Sequence, residues 1–385
     1  MSKRKKNKKD FRAKRRCVLC DKTLFFSEQD YVIGATGRIV CKDCLNTSKR
    51  LSPELQASLP AKKSMDKILT PQDIIRELDK SIIGQERAKR AIAVALWKQQ
   101  LRAAGDTTVP RMNLLLYGPT GCGKTALVRE ASKIVGLPFI TFDATTLSET
   151  GYRGRDAEDL VKDLIDQFSA HPKLSSGVIF LDEFDKLAAR GGATRTEYNR
   201  GTQHSLLKLV EGVDVRHGST SLSSESLLFV FGGAFTGLTA CGKPVAKVRP
   251  IGFAKEPVME PSADSPKIST DSFVSYGMEP ELLGRVGQYV PLELLTAEEL
   301  KRIFLESDLS MYLQYKNFFE AHGVVLEFSE KRIDELIHEA MKQGTGARGL
   351  NNLIDAALEP LMFRLAVGTL NESIYVESEE DLYAR

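Results

Sequence analysis

Residues 112–125 read Met112-Asn-Leu-Leu-Leu-Tyr-Gly118-Pro-Thr-Gly-Cys-Gly-Lys124-Thr125. A short apolar run leads into a glycine-rich turn that ends in Lys-Thr, and apolar residues then continue at helical spacing. This is the G-x-x-x-x-G-K-T pattern between a strand and a helix, the context in which it forms a phosphate-binding P-loop. A chance glycine-rich turn is the alternative, and the flanking pattern argues against it. The stretch therefore predicts an α/β fold with a nucleotide site at this turn.

The residue types in this turn suit ATP and its metal. Glycines let successive backbone N–H groups face a phosphate at the start of a helix. Lys124 is expected to reach the terminal phosphates of ATP, and the Thr125 hydroxyl to ligate Mg²⁺. We assign nucleotide binding to Gly118, Pro119, Thr120, Gly121, Cys122, Gly123, Lys124, Thr125 and Ala126.

A second acidic motif follows another apolar run, Val178-Ile-Phe-Leu-Asp182-Glu183. Asp182 at the end of this predicted strand is expected to bind the nucleotide and hold Mg²⁺. Glu183 can accept a proton from the attacking water, which is the general-base role. A simple nucleotide kinase would not need this glutamate, so the pair favours an ATPase.

Short apolar runs alternate with amphipathic stretches after residue 71. This alternation predicts a parallel sheet covered by helices. From residue 296 onward the sequence predicts a mostly helical second unit, with one possible strand at 324–328. Residues 243–275 contain five prolines and are predicted to form a long loop. The predicted strands are 112–117, 138–142, 178–181 and 227–231, and the predicted helices are 124–135, 157–168 and 202–211.

Composition limits the class of protein. Hydrophobic residues make up 42% of the chain, enough for a sizeable core, but no apolar run reaches the roughly 20 residues of a membrane span. The charged amino terminus does not resemble a secretory signal, so we expect a cytoplasmic protein. Residues 1–16 contain ten Lys or Arg against one Asp. Such a tail can bind nucleic acid through its phosphates, although a solvated, disordered tail is the simpler interpretation.

Four of the six cysteines form two C-x-x-C pairs near the amino terminus. Cys17, Cys20, Cys41 and Cys44 have the spacing of a tetrahedral Zn²⁺ site. Four free thiols are the alternative. We predict a zinc-binding module over residues 17–50, followed by a linker at 51–70.

These motifs, together with Ile82-Ile-Gly-Gln85 and Phe180-Leu-Asp-Glu-Phe-Asp-Lys186, resemble the ClpX family of AAA+ unfoldases. The resemblance extends from residue 17 to about 365. It implies ATP-driven unfolding and translocation of protein substrates by a homo-hexameric ring that delivers them to a ClpP-type peptidase. It also implies an AAA+ large domain at 71–290 and a mostly helical AAA+ small domain at 291–385, which follow the basic tail at 1–16, the zinc module and the linker.

The resemblance also implies roles for individual residues. Ile82 and Ile83 would pack against adenine. Arg285, in Pro280-Glu-Leu-Leu-Gly-Arg285, would act as a finger on the neighbouring subunit's ATP. Arg348, in Gly346-Ala-Arg-Gly-Leu350, would couple the nucleotide to domain rotation. Tyr152 and Arg153 would lie in the first pore loop, and Ile251, Gly252 and Phe253 would dock on the peptidase.

Several segments depart from the family pattern. Arg153 replaces a small apolar residue, only fourteen residues separate Gly212 from Leu227, and residues 194–203 differ from the second pore loop. Arg216-His217 would be a remnant of the pore-entry loop. These departures suggest a divergent relative or paralogue. Two alternatives stay open: a nucleic-acid-directed AAA+ ATPase that uses the tail and zinc module, and a remodelling chaperone without a peptidase.

Overall fold

The computed structural model describes residues 68–106, 108–148, 155–168, 176–190, 192–218, 220–238, 268–370 and 374–376, with the backbone of four short strands before residue 42. The chain divides into two compact units, Met1–Lys67 and Ile68–Arg385. In the first unit, β1 pairs with β2 and β3 with β4, both antiparallel. These strands are β1 (Arg15–Arg16), β2 (Thr23–Leu24), β3 (Tyr31–Ile33) and β4 (Ile39–Cys41).

The first helix of the second unit has a capping motif at its amino terminus. Thr70 and Asp73 form a reciprocal capping box, and Pro71 occupies the first helical turn, where its missing N–H costs nothing. The elements up to the fourth sheet strand are α1 (Pro71–Ser81), α2 (Glu86–Ala103), β5 (Leu114–Tyr117), α3 (Lys124–Val135), β6 (Phe139–Asp143), α4 (Asp159–Phe168), β7 (Val178–Asp182), α5 (Ala193–Glu211), β8 (Asp214–His217), β9 (Thr220–Ser223) and β10 (Leu228–Gly233).

The remaining elements complete the large domain and build the small one. They are α6 (Thr270–Tyr276), α7 (Pro280–Val286), β11 (Gln288–Pro291), α8 (Ala297–Glu306), α9 (Met311–Ala321), β12 (Leu326–Phe328), α10 (Glu330–Gln343), α11 (Gly346–Val367) and β13 (Ile374–Val376).

A five-stranded parallel sheet in the order β11-β5-β10-β7-β6 organises the large domain. Successive side chains of a strand point to opposite faces, and both faces of this sheet are apolar. Leu114 and Leu116 pack with α1, α2 and α3, whereas Leu115 packs with α4, α5 and α7 on the other face. A separate apolar core lies among α8–α11, β12 and β13. The predicted parallel sheet and helical carboxyl-terminal domain are therefore confirmed.

Some predicted boundaries were wrong. Helix α5 begins at Ala193 rather than at 202, so residues 194–203, which differ from the family's second pore loop, all lie in this helix. The loop predicted for 243–275 ends earlier, because α6 begins at Thr270; residues 243–267 lie outside the described residues. Arg216 and His217 belong to β8, whose hairpin with β9 occupies the shortened segment.

Strand β11 was not predicted. It contains one fully buried apolar residue, Val290, and pairs in parallel with β5 at the edge of the sheet. Helix α7 immediately precedes it, which places Arg285 at the amino-terminal edge of the sheet.

Candidate active site

The P-loop connects the carboxyl end of β5 to the first turn of α3. Gly121 has φ +79°, a conformation that favours glycine. A Cβ at this position would lie 1.8 Å from the carbonyl oxygen of Thr345 in the small domain. The N–H of Ala347, in turn, donates to the Gly121 carbonyl oxygen at 3.2 Å. The P-loop therefore contacts the start of α11 directly, which only a residue without a side chain permits.

Lys124 is a buried cation. The residue is 9% exposed, and its Nζ donates to the carbonyl oxygens of Gly118 (2.7 Å) and Pro119 (2.9 Å). The Sγ of Cys122 lies at 3.8 Å from the same Nζ, and no carboxylate is among the Lys124 contacts in the part of the chain that the structure describes. Because a buried charge is costly without a counterion, this ammonium is suited to an anionic ligand.

Two oxygen atoms suited to a hard metal ion meet beside the P-loop. The hydroxyl of Thr125, in the first turn of α3, donates to Oδ2 of Asp182 at 2.8 Å. Asp182 ends β7, so the parallel sheet brings its carboxylate to the edge at which the P-loop lies. Mg²⁺ prefers such oxygen ligands and commonly binds one or two protein groups together with substrate phosphates. This donor set fits Mg²⁺.

Glu183 follows Asp182 in a left-handed conformation, with φ 55° and ψ 30°. Positive φ is uncommon for residues other than glycine and often occurs at functional sites. The N–H of Glu183 donates to Oδ1 of Asp182 at 2.9 Å. This turn places the Glu183 side chain along the same cavity as Thr125 and Asp182.

This cavity has a volume of about 600 Å³ and lies between the large and small domains. Nine predicted residues line it, including Arg348 from α11. Gly118, Pro119 and Cys122 do not line it; the Cys122 side chain instead packs in the core under the P-loop, where burial raises the pKa of its thiol. The lining residues are Thr120, Gly121, Gly123, Lys124, Thr125, Ala126, Arg129, Asp182, Glu183, Asp185, Lys186, Ala234, Ala347, Arg348 and Asn351.

Sequence reasoning missed several of these residues. Arg129 and Asn351 could have been found from helical spacing, since they follow Thr125 and Arg348 by four and three residues on their helices. Asp185 is buried, and its Oδ1 accepts a hydrogen bond from the N–H of Ala234 at 3.1 Å. Ala234 follows β10, so this contact depends on strand order and leaves no signal in the local sequence.

Ile82 and Ile83 follow α1 and are 8% and 5% exposed. Ile82 packs in the core formed with α2 and α3, and neither isoleucine lines the cavity. The next residues approach the connection between the two domains, because the Gln85 side chain bonds both the N–H and the carbonyl of Glu293. Adenine packing by the isoleucines stays a prediction.

Arg285 lies away from this cavity. It is near the end of α7, and its guanidinium contacts Oε1 of Glu211 at 2.8 Å. Its backbone lies beside Asn113, at the start of β5, whereas the P-loop begins at the opposite end of that strand. Five residues of extended chain span about 16 Å, so Arg285 cannot reach the nucleotide site of its own subunit.

The other predicted sites fall outside the described residues. They are Tyr152 and Arg153, the tripeptide Ile251–Phe253, and the side chains of Cys17, Cys20, Cys41 and Cys44. The base of the loop that carries Tyr152 is described: Ser148 donates to the Arg155 carbonyl at 2.9 Å, and Arg155 donates to that of Thr146 at 3.0 Å. Within the described residues, we find no helix long and apolar enough to cross a membrane.

Comparison with known proteins agrees with this architecture. Residues 114–248 match the model of the ATPase family associated with various cellular activities (AAA), and residues 295–373 match the C-terminal, D2-small domain of ClpB protein. Three curated relatives are each named ATP-dependent Clp protease ATP-binding subunit ClpX. The Treponema denticola protein is 33% identical over 90% of this chain and 89% of its own length. Those of Borrelia duttonii and Azotobacter vinelandii are both 32% identical, over 91% and 87% of this chain and 86% and 82% of their own lengths.

Proposed function

Since the chain belongs to the ClpX family of AAA+ ATPases, we propose that it uses ATP hydrolysis to unfold and translocate protein substrates. The observation that carries this proposal is the contact between Gly121 and Ala347, which links the P-loop to the helix that carries Arg348. A ligand between these groups would touch both domains of the subunit. Its binding and release could therefore change the angle between them, which is the movement that translocation requires.

Different residues of the cavity would have different roles in hydrolysis. Lys124 would turn from the P-loop carbonyls to the phosphates of ATP, and Thr125 and Asp182 would hold Mg²⁺, which neutralises charge on the phosphates. Glu183 would accept the proton of the attacking water. Arg348 would bind the nucleotide from the small domain.

Hydrolysis would also require a second subunit. Arg285 is about 16 Å along β5 from its own P-loop, so its proposed role at a phosphoryl group requires a neighbour's site. A closed homo-hexameric ring would give every site such an arginine. The proposed translocation would then take place at the centre of the ring, with Tyr152 gripping the polypeptide and Arg153 altering which substrates are held.

Two proposals concern segments outside the described residues. The four cysteines at 17–44 are a donor set that Zn²⁺ prefers, and their module would be a binding unit attached by the linker. The Ile251-Gly-Phe253 tripeptide would insert into a hydrophobic pocket of a ClpP-type peptidase.

A trap experiment tests the proposed function against its rivals. A Glu183→Gln variant should bind ATP without hydrolysing it and so retain its substrates, which can be captured and identified. We expect captured proteins, and wild-type ATPase activity stimulated by an unfolded protein. Captured nucleic acid with DNA-stimulated ATPase activity would instead support a nucleic-acid-directed enzyme.

A further inference from the structure

Asn113 is a buried amide that lies between the two halves of the proposed catalytic machinery. It directly precedes β5 and is 5% exposed. Its Nδ2 donates to the carbonyl oxygen of Arg285 at 3.0 Å, and its Oδ1 accepts from the N–H of Phe229 at 3.2 Å. The opposite orientation of the amide would set oxygen against oxygen and N–H against N–H. One donor and one acceptor therefore fix the side chain.

These bonds join three elements at the amino-terminal edge of the sheet. Arg285 is at the end of α7, Phe229 is in β10, and Asn113 introduces β5. The chain then turns at Gly287, whose φ is +82°, and β11 pairs beside β5 from Gln288. The backbone of Arg285 is thus held on one side by a buried hydrogen bond and on the other by the sheet.

The guanidinium of Arg285 is held much less firmly. Its side chain is 58% exposed and its Glu211 partner 43% exposed. Exposed ion pairs of this kind contribute little stability and exchange readily. Arg111 donates to the carbonyl oxygens of Val210 and Glu211, which fixes the end of α5 that carries this carboxylate. A cavity of about 520 Å³, lined by Arg111, Asn113, Glu211 and Arg285, leaves room for the guanidinium to move.

We propose that Asn113 is a positioning residue that fixes the backbone of Arg285 so that its guanidinium can leave Glu211 and reach the neighbouring subunit's ATP. This inference rests on the proposed trans role of Arg285 and names the buried group that makes it effective. A fixed backbone with a loosely paired side chain suits this task, since the arginine must change partners without losing its location. Small displacements of a group that acts on a transition state can lower rates by about 100-fold.

Rings that mix two kinds of subunit distinguish an effect of Asn113 on the neighbouring subunit's ATP site from an effect on the ATP site of its own subunit. A donor subunit carries Glu183→Gln, so its own site is inactive but it supplies Arg285. A receiver subunit carries Arg285→Ala, so it supplies no arginine but keeps Glu183. ATPase activity in the mixture then comes from receiver sites that face donor arginines. The ATPase activity of the mixture is measured with Asn113→Asp placed either in the donor subunit or in the receiver subunit. This substitution keeps the shape of the side chain but removes the N–H that bonds the Arg285 carbonyl.

We expect a fall of about tenfold or more when Asn113→Asp is in the donor, and a far smaller change when it is in the receiver. Gln100→Glu in the donor is the matched control, because Gln100 is also a buried amide that bonds a backbone N–H and carbonyl, those of Leu69. It should leave the mixture near its reference activity. A loss mainly in the receiver would mean that Asn113 supports its own P-loop through β5, and equal losses would mean that it supports the fold or the assembly in general. Either result, or no loss in both placements, would overturn the proposal.

Two measurements keep these outcomes interpretable. Subunit melting temperature and nucleotide binding identify a variant that fails to fold, and Asn113→Ala, which adds no charge, then replaces Asn113→Asp in the same two placements. The unmodified donor and receiver mixture tests the proposed function by itself. If mixed rings form and that mixture is inactive, the trans role of Arg285 is wrong and the inference about Asn113 falls with it.

Discussion

The hydroxyl of Thr125 and the carboxylate of Asp182 are joined by a 2.8 Å hydrogen bond although 57 residues separate them in sequence. Thr125 lies in the first turn of the P-loop helix α3, and Asp182 ends β7, the third sheet strand along the chain. Their oxygens are therefore preorganised by the fold before any metal binds.

Substitution of Thr125 tests the metal site. Thr125→Val keeps the shape of the side chain but removes the hydroxyl, so the Mg²⁺ concentration needed for half-maximal ATPase activity should rise by about tenfold or more, the loss of roughly one charge-assisted contact. Thr125→Ser keeps the hydroxyl and should behave nearly as the wild type. A Mg²⁺ titration of ATPase activity measures both, and equal behaviour of the two variants would remove Thr125 from the metal site.

Glu183→Gln should lower kcat by about 100-fold or more while nucleotide affinity is kept, since a general base contributes a factor of this size. Single-turnover hydrolysis and equilibrium binding of a fluorescent nucleotide measure the two effects separately. Glu339→Gln, at an exposed position on α10, is the control for loss of a carboxylate. Near-normal turnover in Glu183→Gln would exclude Glu183 as the base.

The contact between the P-loop and the small domain can be tested with two glycines of similar backbone conformation. Gly121 has φ +79° and Gly136 has φ +64°, but only at Gly121 would a Cβ meet another segment, the Thr345 carbonyl. Gly136→Ala should cost about 1–2 kcal/mol in free energy of unfolding, the ordinary penalty of a left-handed residue. Gly121→Ala should cost more and should also weaken nucleotide binding. Urea unfolding and nucleotide titration measure both, and equal effects would show that the Gly121 contact is unimportant.

Much of the fold follows from local patterns in the sequence. The strands that carry the site, β5 and β7, were predicted to within two residues at each end because they are continuous apolar runs bounded by turn residues. Strand β11 was missed because Gln288-Tyr-Val-Pro291 has neither an apolar run nor regular alternation. It is a strand because it pairs with β5, a contact that its own sequence does not indicate. The start of α5 was missed because residues 193–201 are mostly polar and contain a glycine.

The site was also predictable only in part, because some of its contacts join residues that are remote in sequence. Lys124, Thr125, Asp182 and Glu183 belong to motifs with fixed spacing, so the sequence alone indicated that they meet. The side chains of Asp185 and Asn113 bond the backbone of Ala234 and Arg285, which are remote in sequence and are brought near by the order of the strands. No periodicity or motif identifies such contacts.

The zinc prediction is tested by metal content. Because metal binding and folding are coupled in small thiolate sites, a chelator should release about one Zn²⁺ per chain and unfold residues 17–50. ATPase activity should persist, since the predicted linker separates that segment from the P-loop. Metal analysis and circular dichroism of protein purified under reducing conditions without chelators provide the measurement. A zinc content near zero would show that the zinc prediction is wrong.

Truncation of Phe253 tests peptidase docking. Phe253→Ala should remove an apolar anchor worth about 2–4 kcal/mol, and the loss should be multiplied because several subunits of a ring would bind at once. Degradation by a mixture with a ClpP-type peptidase should collapse while ATPase activity and unfolding stay near wild type. Phe363→Ala, at a residue 71% exposed on α11, is the control for loss of an aromatic side chain. If the wild type does not associate with the peptidase and Phe253→Ala changes nothing, the protein remodels substrates without one.

The hydrogen bond between Asn113 and Arg285 joins residues that are 172 apart in sequence. Contacts of such long range form late in folding, because the entropy of closing the intervening chain must first be offset by more local structure. Gly121 and Ala347, whose contact joins the P-loop to the small domain, are even further apart in sequence. We therefore expect both the completed P-loop site and the docked α7 to form late in folding. A newly made subunit that lacked these contacts would neither hold nucleotide between its two domains nor activate its neighbour, so the order of folding itself would delay hydrolysis until every member of an assembly is native.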